Sequence, residues 1–472
     1  MLFNSLSFAI FLPIVFAIYW GLKKNLRGQN ILLLLSSYLF YGWWDARFLT
    51  LIVASTGVDF VLGRSLASAR SASKRKLLLA ASMIFNLGLL GVFKYYNFFI
   101  ENFALLAQSV GFHTSPTLLS IALPVGISFY TFQTMSYTID IYRKQLEPTR
   151  DFIAFAAFVG YFPQLVAGPI ERASNLLPQI TKPRNFDYQK AVNGLRQALW
   201  GFFKKVVIAD AVAPLVDQTF ADPNLYSSGA LVAGAFLFSI QIYCDFSGYS
   251  DIAIGISKLF GIDLIQNFRT PYFSRDIAEF WRRWHISLST WFRDYLYIPL
   301  GGSRGSTTLK VRNTFAIFLV SGFWHGANWT FIIWGLMNAL LFLPLLLAKR
   351  NRSNLDHPGL KDLHRIALTF VITTIAWIFF RADSFGHAIN YFDGIRLNTT
   401  GDSLKIKAPL LAYIALLILG DWLGRKHDFA LNFLSEGVFG RHAFLRLGTY
   451  LLLAYLVLLY LGGQQNFIYF QF

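Results

Sequence analysis

Residues 310–350 read KVRNTFAIFLVSGFWHGANWTFIIWGLMNALLFLPLLLAKR. Two apolar segments, 313–324 and 329–348, lie between Lys310 and Arg312 before them and Lys349, Arg350 and Arg352 after them. Basic loops are retained on the cytoplasmic side of a membrane. Both ends therefore share that side, and the stretch reads as a hairpin with His325 near its turn. From Asn313 to His325 a helix rises only about 18 Å at ~1.5 Å per residue, whereas the hydrocarbon core is about 30 Å thick. His325 is expected inside the membrane, between Gly322 and Gly326, which permit a break and a close backbone approach. An ionisable residue at that depth points to function. The plainer alternative is a neutral histidine that hydrogen-bonds two helices. An imidazole titrating near its ordinary pKa of about 6.5 can take and return a proton at neutral pH.

The rest of the chain supports a membrane reading. Of 472 residues, 55% are hydrophobic, 17% aromatic and only 14% charged. Soluble domains carry about 25% charged residues, so this chain could not cover soluble surfaces, and a cytosolic enzyme or disordered scaffold is excluded. The net charge of +17 lies in short clusters between apolar runs, which is the positive-inside pattern and argues against nucleic acid as a ligand. Further apolar segments fall near 6–20, 31–44, 48–63, 77–93, 118–139, 151–167, 191–214, 229–244, 365–380, 407–423 and 447–461. The expected architecture is an all-α polytopic membrane protein, one domain over 1–472, with about ten to twelve helices, some too short to cross alone. Met1 to Ser7 lack the cations of a signal peptide and no A-x-A site follows, so the first helix is expected to be retained as an anchor.

Residues 263–312 are too long for a loop and too polar for a span. Arg269, Arg275, Arg282, Arg283, Arg293, Arg304, Lys310 and Arg312 interleave there with Trp281, Trp284, Trp291 and Tyr295. This predicts amphipathic helices in the cytoplasmic interface. They would serve as membrane anchors or, alternatively, would receive a polyanionic cytosolic ligand. His285 sits on this stretch, and taken alone it is an ordinary interfacial histidine. The other six histidines fall in or beside polar loops. Asp245 and Asp251, six residues apart, do not share a helical face, so a structural role, pairing with Arg or backbone groups, is expected. The lone Cys244 excludes an internal disulfide, a CxxC pair and a multi-cysteine zinc site. No other residues have metal-ligand spacing, and no phosphate-binding loop of the ATPase kind is present.

Several stretches together resemble the membrane-bound O-acyltransferase family, in its bacterial branch of alginate O-acetylation, peptidoglycan O-acetylation and teichoic-acid D-alanylation. They are Leu123-Pro124-Val125-Gly126-Ile127-Ser128-Phe129-Tyr130-Thr131-Phe132-Gln133, Tyr161-Phe162-Pro163-Gln164-Leu165-Val166-Ala167-Gly168-Pro169-Ile170, Asp245–Asp251, Trp281–Ser289 and Ser321-Gly322-Phe323-Trp324-His325-Gly326. The resemblance implies a helical ring with a thinned centre and short central hairpins. It places the catalytic general base on His325 and a second histidine, positioning or relaying the proton, on His285. It also implies a multi-pass protein of the bacterial inner membrane. No permanently bound cofactor is expected; the acyl donor would be a cytosolic thioester, acetyl-CoA or an acyl carrier. The acceptor would be an exported polysaccharide, reached through a periplasmic esterase-like acetyltransferase. Arg282 and Arg283 are candidates for the donor's phosphates, against plain interfacial anchoring. Two rival functions stay open: D-alanyl transfer to teichoic acid from a carrier protein, and a proton-coupled transporter using His325 as a relay.

The final stretch, Gln464-Gln465-Asn466-Phe467-Ile468-Tyr469-Phe470-Gln471-Phe472, is aromatic where a polar end would be expected. Arg425, Lys426, Arg441 and Arg446 precede the last span, so residues 462–472 should lie outside. Composition alone makes them interfacial belt aromatics. The stretch also resembles the C-terminal motif of the small helper protein of D-alanylation, and by that resemblance Tyr469 would carry the acyl group. A phenol with a pKa of about 10 approaches a thiol near 8.5, so its ester stays activated for a second transfer.

Overall fold

The computed structural model describes residues 1–112, 117–120, 123–166, 168–435, 440–462 and 467–468. Among these residues the regular structure is helical, with no strand beyond an isolated bridge between Tyr226 and Asp402. The helices group into two compact units, Met1–Ala191 with Ser257–Leu264, and Val192–Ile256 with Ile265–Phe472.

The first unit contains α1 (Leu6–Gly21), α2 (Leu26–Gly42), α3 (Leu49–Ser68), α4 (Ala72–Leu90), α5 (Tyr96–Ser109), α6 (Ile127–Tyr142), α7 (Phe152–Val159), α8 (Phe162–Leu165) and α9 (Ala173–Thr181). Side-chain caps set several starts: Ser5 accepts from Phe8 N, Asn25 from Gly28 N and Asp151 from Ala154 N. The apolar segment expected near 77–93 instead runs on. A π turn over Gly91–Tyr95 carries α4 into α5, making one apolar stretch from Ala72 to Ser109. The unit's interior includes Asp59, whose carboxylate accepts from Ser82 Oγ at 2.6 Å and Asn86 Nδ2 at 2.7 Å.

The second unit takes up most of α10 (Tyr188–Phe202), which passes through a π turn at Phe203–Ala209 into α11 (Asp210–Ala221). Then come α12 (Ser228–Leu259), α13 (Ile277–Arg283), α14 (Ile286–Phe292), α15 (Thr307–His325), α16 (Trp329–Leu347), α17 (Leu363–Arg381), α18 (Phe385–Leu397), α19 (Ala408–Gly424) and α20 (Ala443–Tyr460). Helix α12 is longer than the 229–244 segment hydropathy suggests, because cations neutralise its polar half. Lys204 meets Asp251 at 2.6 Å, and Lys205 meets Asp245 at 2.7 Å. The two aspartates thus pair with lysines of the π turn, where arginine or backbone groups were expected. Residues 263–312 hold two seven-residue helices, α13 and α14, a 3-10 turn at Pro271–Phe273, a π turn at Arg293–Tyr297 and the first residues of α15.

Six helical segments among the described residues are long and apolar enough to cross a membrane, and three shorter apolar helices accompany them. The α15–α16 hairpin is present as expected. Ser306 caps α15 through Leu309 N, and Asn328 caps α16 through Thr330 N. Two of its three glycines set the approach of the helices: a Cβ at Gly322 would sit 2.3 Å from Phe331 O, and one at Gly335 2.5 Å from Phe318 O. Only glycine lets the two backbones approach so closely.

Candidate active site

His325 is the last residue of α15, with Gly326 extended behind it. Its Nδ1 lies 2.6 Å from the carbonyl of Ser321, one turn back. A carbonyl can only accept, so Nδ1 carries the hydrogen and Nε2 holds the basic lone pair. Trp324, Trp334 and Phe380 surround the ring, with centroids 5.0, 5.1 and 5.5 Å away.

His285 is not on a helix face exposed at an interface. It occupies the break between α13 and α14 at φ 44°, ψ 54°, fully buried. A left-handed conformation costs a non-glycine residue roughly 1–3 kcal/mol and survives only where neighbours enforce it. Here the chain at 267–269 enforces it: Arg269 N donates to Arg283 O at 3.0 Å, and Ile286 N to Asn267 O at 2.9 Å. The Asn267 side chain completes the clamp. Its Oδ1 accepts from Ser287 N at 3.3 Å and Ser287 Oγ at 2.8 Å, while its Nδ2 donates to Ser250 Oγ at 3.0 Å. The peptide N–H of Ser287 can only donate, which fixes that atom as oxygen. His285 Nδ1, 3.1 Å from the same oxygen, is therefore protonated, and Nε2 again is the basic nitrogen. Burial, and secondarily the nearby His325, pushes the His285 pKa well below its ordinary value, so its imidazole is neutral at pH 7. The two rings lie 6.4 Å apart at 76°. Phe246 meets His285 edge-on at 4.6 Å.

Beside them lies a cavity of about 840 Å³ lined by residues of α13–α16 and their connections. Ser321, whose carbonyl holds His325, is in its wall, along with Trp281 and Phe318. Arg282, Arg293, Lys310, Lys349 and Arg352 also line it, and no carboxylate does. Such a surplus of positive charge suits a phosphorylated ligand. The two arginine candidates part here. Arg282 lines the cavity while donating to the carbonyls of Asn351 and Ser353, both at 2.7 Å. Arg283 is absent from the lining and pairs with Glu279 at 2.7 Å. Lys310, Lys349 and Arg352 make no ion pair among the described residues. In the sequence Lys349 and Arg352 read only as topological flanks, and Lys310 also as one of the interfacial cations. The signal was that both flanks of one hairpin must lie on one side of the membrane. Asn267 carried no comparable signal. Tyr469 lies outside the described residues.

Residues 143–382 match the MBOAT, membrane-bound O-acyltransferase family. A probable alginate O-acetylase of Pseudomonas aeruginosa is 40% identical, covering 89% of this chain and 81% of its own length. A peptidoglycan O-acetyltransferase of Helicobacter pylori is 36% identical over 84% of this chain and 80% of its own. A teichoic acid D-alanyltransferase of Streptococcus thermophilus is 30% identical over 56% of this chain and 69% of its own. With its apolar helices and its buried histidine pair, the chain belongs to the membrane-bound O-acyltransferases, as a multi-pass membrane enzyme.

Proposed function

We propose that this enzyme moves an acetyl group from cytosolic acetyl-CoA across the bacterial inner membrane toward hydroxyls of an exported polysaccharide, through a periplasmic esterase-like partner. The observation that carries the reading is the carboxylate-free basic cavity with Ser321, the residue that holds His325, in its wall. Its volume suits a small-molecule site. Its cations match a nucleotide's phosphates, and its aromatic lining matches a thioester arm. Two relatives above 35% identity are named for O-acetylation, of alginate and of peptidoglycan, which favours acetyl as the group and a polysaccharide as the acceptor. The D-alanyltransferase relative favours the second reading, D-alanine from a carrier protein.

In this mechanism His325 Nε2 takes the proton of the attacking hydroxyl as its oxygen bonds to the thioester carbonyl carbon. The C–S bond then breaks, and the thiolate leaves with that proton. His285, neutral and held by Asn267, positions or relays the proton. In this scheme Tyr469 supplies the first acceptor hydroxyl, a part of the reading that rests on the sequence motif.

The test is acetyl transfer by the protein in proteoliposomes. Replacing Lys310 and Arg352 together by Glu should raise the KM for acetyl-CoA about tenfold or more, by removing charge-assisted contacts, with little change in kcat. An unchanged KM would remove the cavity from donor binding. Transfer from a D-alanyl carrier but not from acetyl-CoA would select the second reading.

A further inference from the structure

We propose that the buried cluster of Lys205, Asp210 and Asp245 is a socket that locks residues 467–468 into the wall of the histidine site, with Asp245 as the positioning residue. This rests on the reading that His285 and His325 form the reaction centre.

Among the described residues of the cluster, one ammonium faces two carboxylates. Lys205 Nζ lies 2.7 Å from Asp210 Oδ1 and 2.7 Å from Asp245 Oδ1, and all three side chains are buried. The adjacent Lys204 is committed elsewhere, to Asp251 at 2.6 Å and Ser247 Oγ at 2.8 Å. One ammonium thus serves two carboxylates, and a buried carboxylate requires donors at its remaining lone pairs. The second oxygen of Asp245, Oδ2, accepts the backbone N–H of Ile468 at 2.7 Å. That is a charge-assisted bond to a peptide more than two hundred residues away in sequence.

The same peptide brings a side chain to the site. Phe467 and Ile468 are 0% and 1% exposed, which sets them apart from belt aromatics facing lipid. The Phe467 ring lies 4.5 Å from Tyr249 and 6.0 Å from Phe246. The next contact of Phe246 is the ring of His285, edge-on at 4.6 Å. Asp245 and Phe246 are neighbours on α12, so one helix turn both grips the segment and backs the histidine. The segment is therefore part of the site's packing, and the ionic cluster keeps it there.

Two measurements decide this. In a Cys244→Ala background, Ile468→Cys keeps the N–H and should react with maleimide at least tenfold more slowly than Leu355→Cys, at an exposed position. Adding Asp245→Ala should raise the Ile468→Cys rate at least tenfold, whereas Asp217→Ala, which breaks the separate pair with Arg381, should leave it unchanged. Ready labelling with Asp245 intact, or a rate indifferent to Asp245→Ala, overturns the socket. The second measurement does not depend on Asp245 variants folding. Ile468→Pro deletes the donor and leaves every side chain of α12 in place. It should lower kcat about fivefold or more with the donor KM unchanged, while Ile468→Val keeps full activity. A proline variant with full kcat overturns the link to the site. If no variant, including the parent, consumes a thioester, the functional reading fails, and the labelling result still decides the socket.

Discussion

His325 and His285 present the same tautomer by different means. At His325 the acceptor for Nδ1–H is the main-chain carbonyl of Ser321, one turn back on the same helix. No substitution at Ser321 removes it, and α15 rebuilds it whenever the helix forms. At His285 the acceptor is a side-chain amide, Asn267, reached across an irregular stretch and acting on a left-handed residue. One histidine is oriented by secondary structure, the other by tertiary structure. A base that must stay aimed through every turnover is best held by secondary structure, while a relay or positioning group can be tuned through a neighbour.

The largest effect should come from the helix-held ring. His325→Ala removes the proposed base but neither the glycine approach at Gly322 and Gly335 nor the caps of α15 and α16, so the protein should insert and fold. Acetyl transfer should fall about a thousandfold, within the range for loss of a general base. Near-normal transfer in a correctly inserted variant would shift the base role to His285 and invert the comparison.

Changing Asn267 should have an intermediate effect. Asn267→Leu takes the acceptor from His285 Nδ1 and frees the ring to flip, and kcat should fall about ten- to a hundredfold with the donor KM unchanged. Asn267→Asp tests the same contact by pH. A carboxylate beside Nδ1–H favours the charged imidazolium and raises the His285 pKa. In the proposed mechanism neutral His285 is the working form, so activity should be lost where the ring becomes protonated, below the raised pKa. In the parent that pKa lies well below the ordinary value, and His285 contributes no acid limb near neutrality. The aspartate variant should therefore show a new acid limb in kcat moved up toward neutral pH. A kcat profile between about pH 5.5 and 8.5 reads this directly, and a superimposable profile would separate Asn267 from His285.

The same contrast explains what was legible in the sequence. His325 could be found because hairpin depth follows from local periodicity and flanking charge, which are short-range signals. Three of the four α15–α16 ends fall within one residue of expectation for the same reason, while α15 begins six residues earlier, at Thr307. The setting of His285 could not be read, since Trp284-His285 carries no glycine to announce a left-handed residue and the clamp lies 18 residues upstream. The polar half of α12 was lost to hydropathy because its lysines come from the π turn, some 40 residues earlier. Arg283 is a different case. Glu279 stands four residues before it, the spacing of a helical ion pair, so its engagement was available from sequence.

The smallest effect should come from the outermost member of the clamp. Ser250 accepts from Asn267 Nδ2 at 3.0 Å and is itself buried. Removing its hydroxyl leaves one amide hydrogen unmatched, at a net cost of about 1 kcal/mol for an ordinary hydrogen bond. The orientation of Asn267 does not depend on that bond. Three donors converge on Oδ1, from Ser287 N, Ser287 Oγ and His285 Nδ1. Flipping the amide would set its NH2 against all of them, so the carbonyl stays in place when Ser250 is lost. Ser250→Ala should accordingly slow transfer no more than about fivefold, the equivalent of that 1 kcal/mol, and leave the pH profile unmoved. A loss approaching that of Asn267→Leu would mean that Ser250, not the converging donors, aims the amide. The orientation of His285 would then be traced one residue further, to the body of α12.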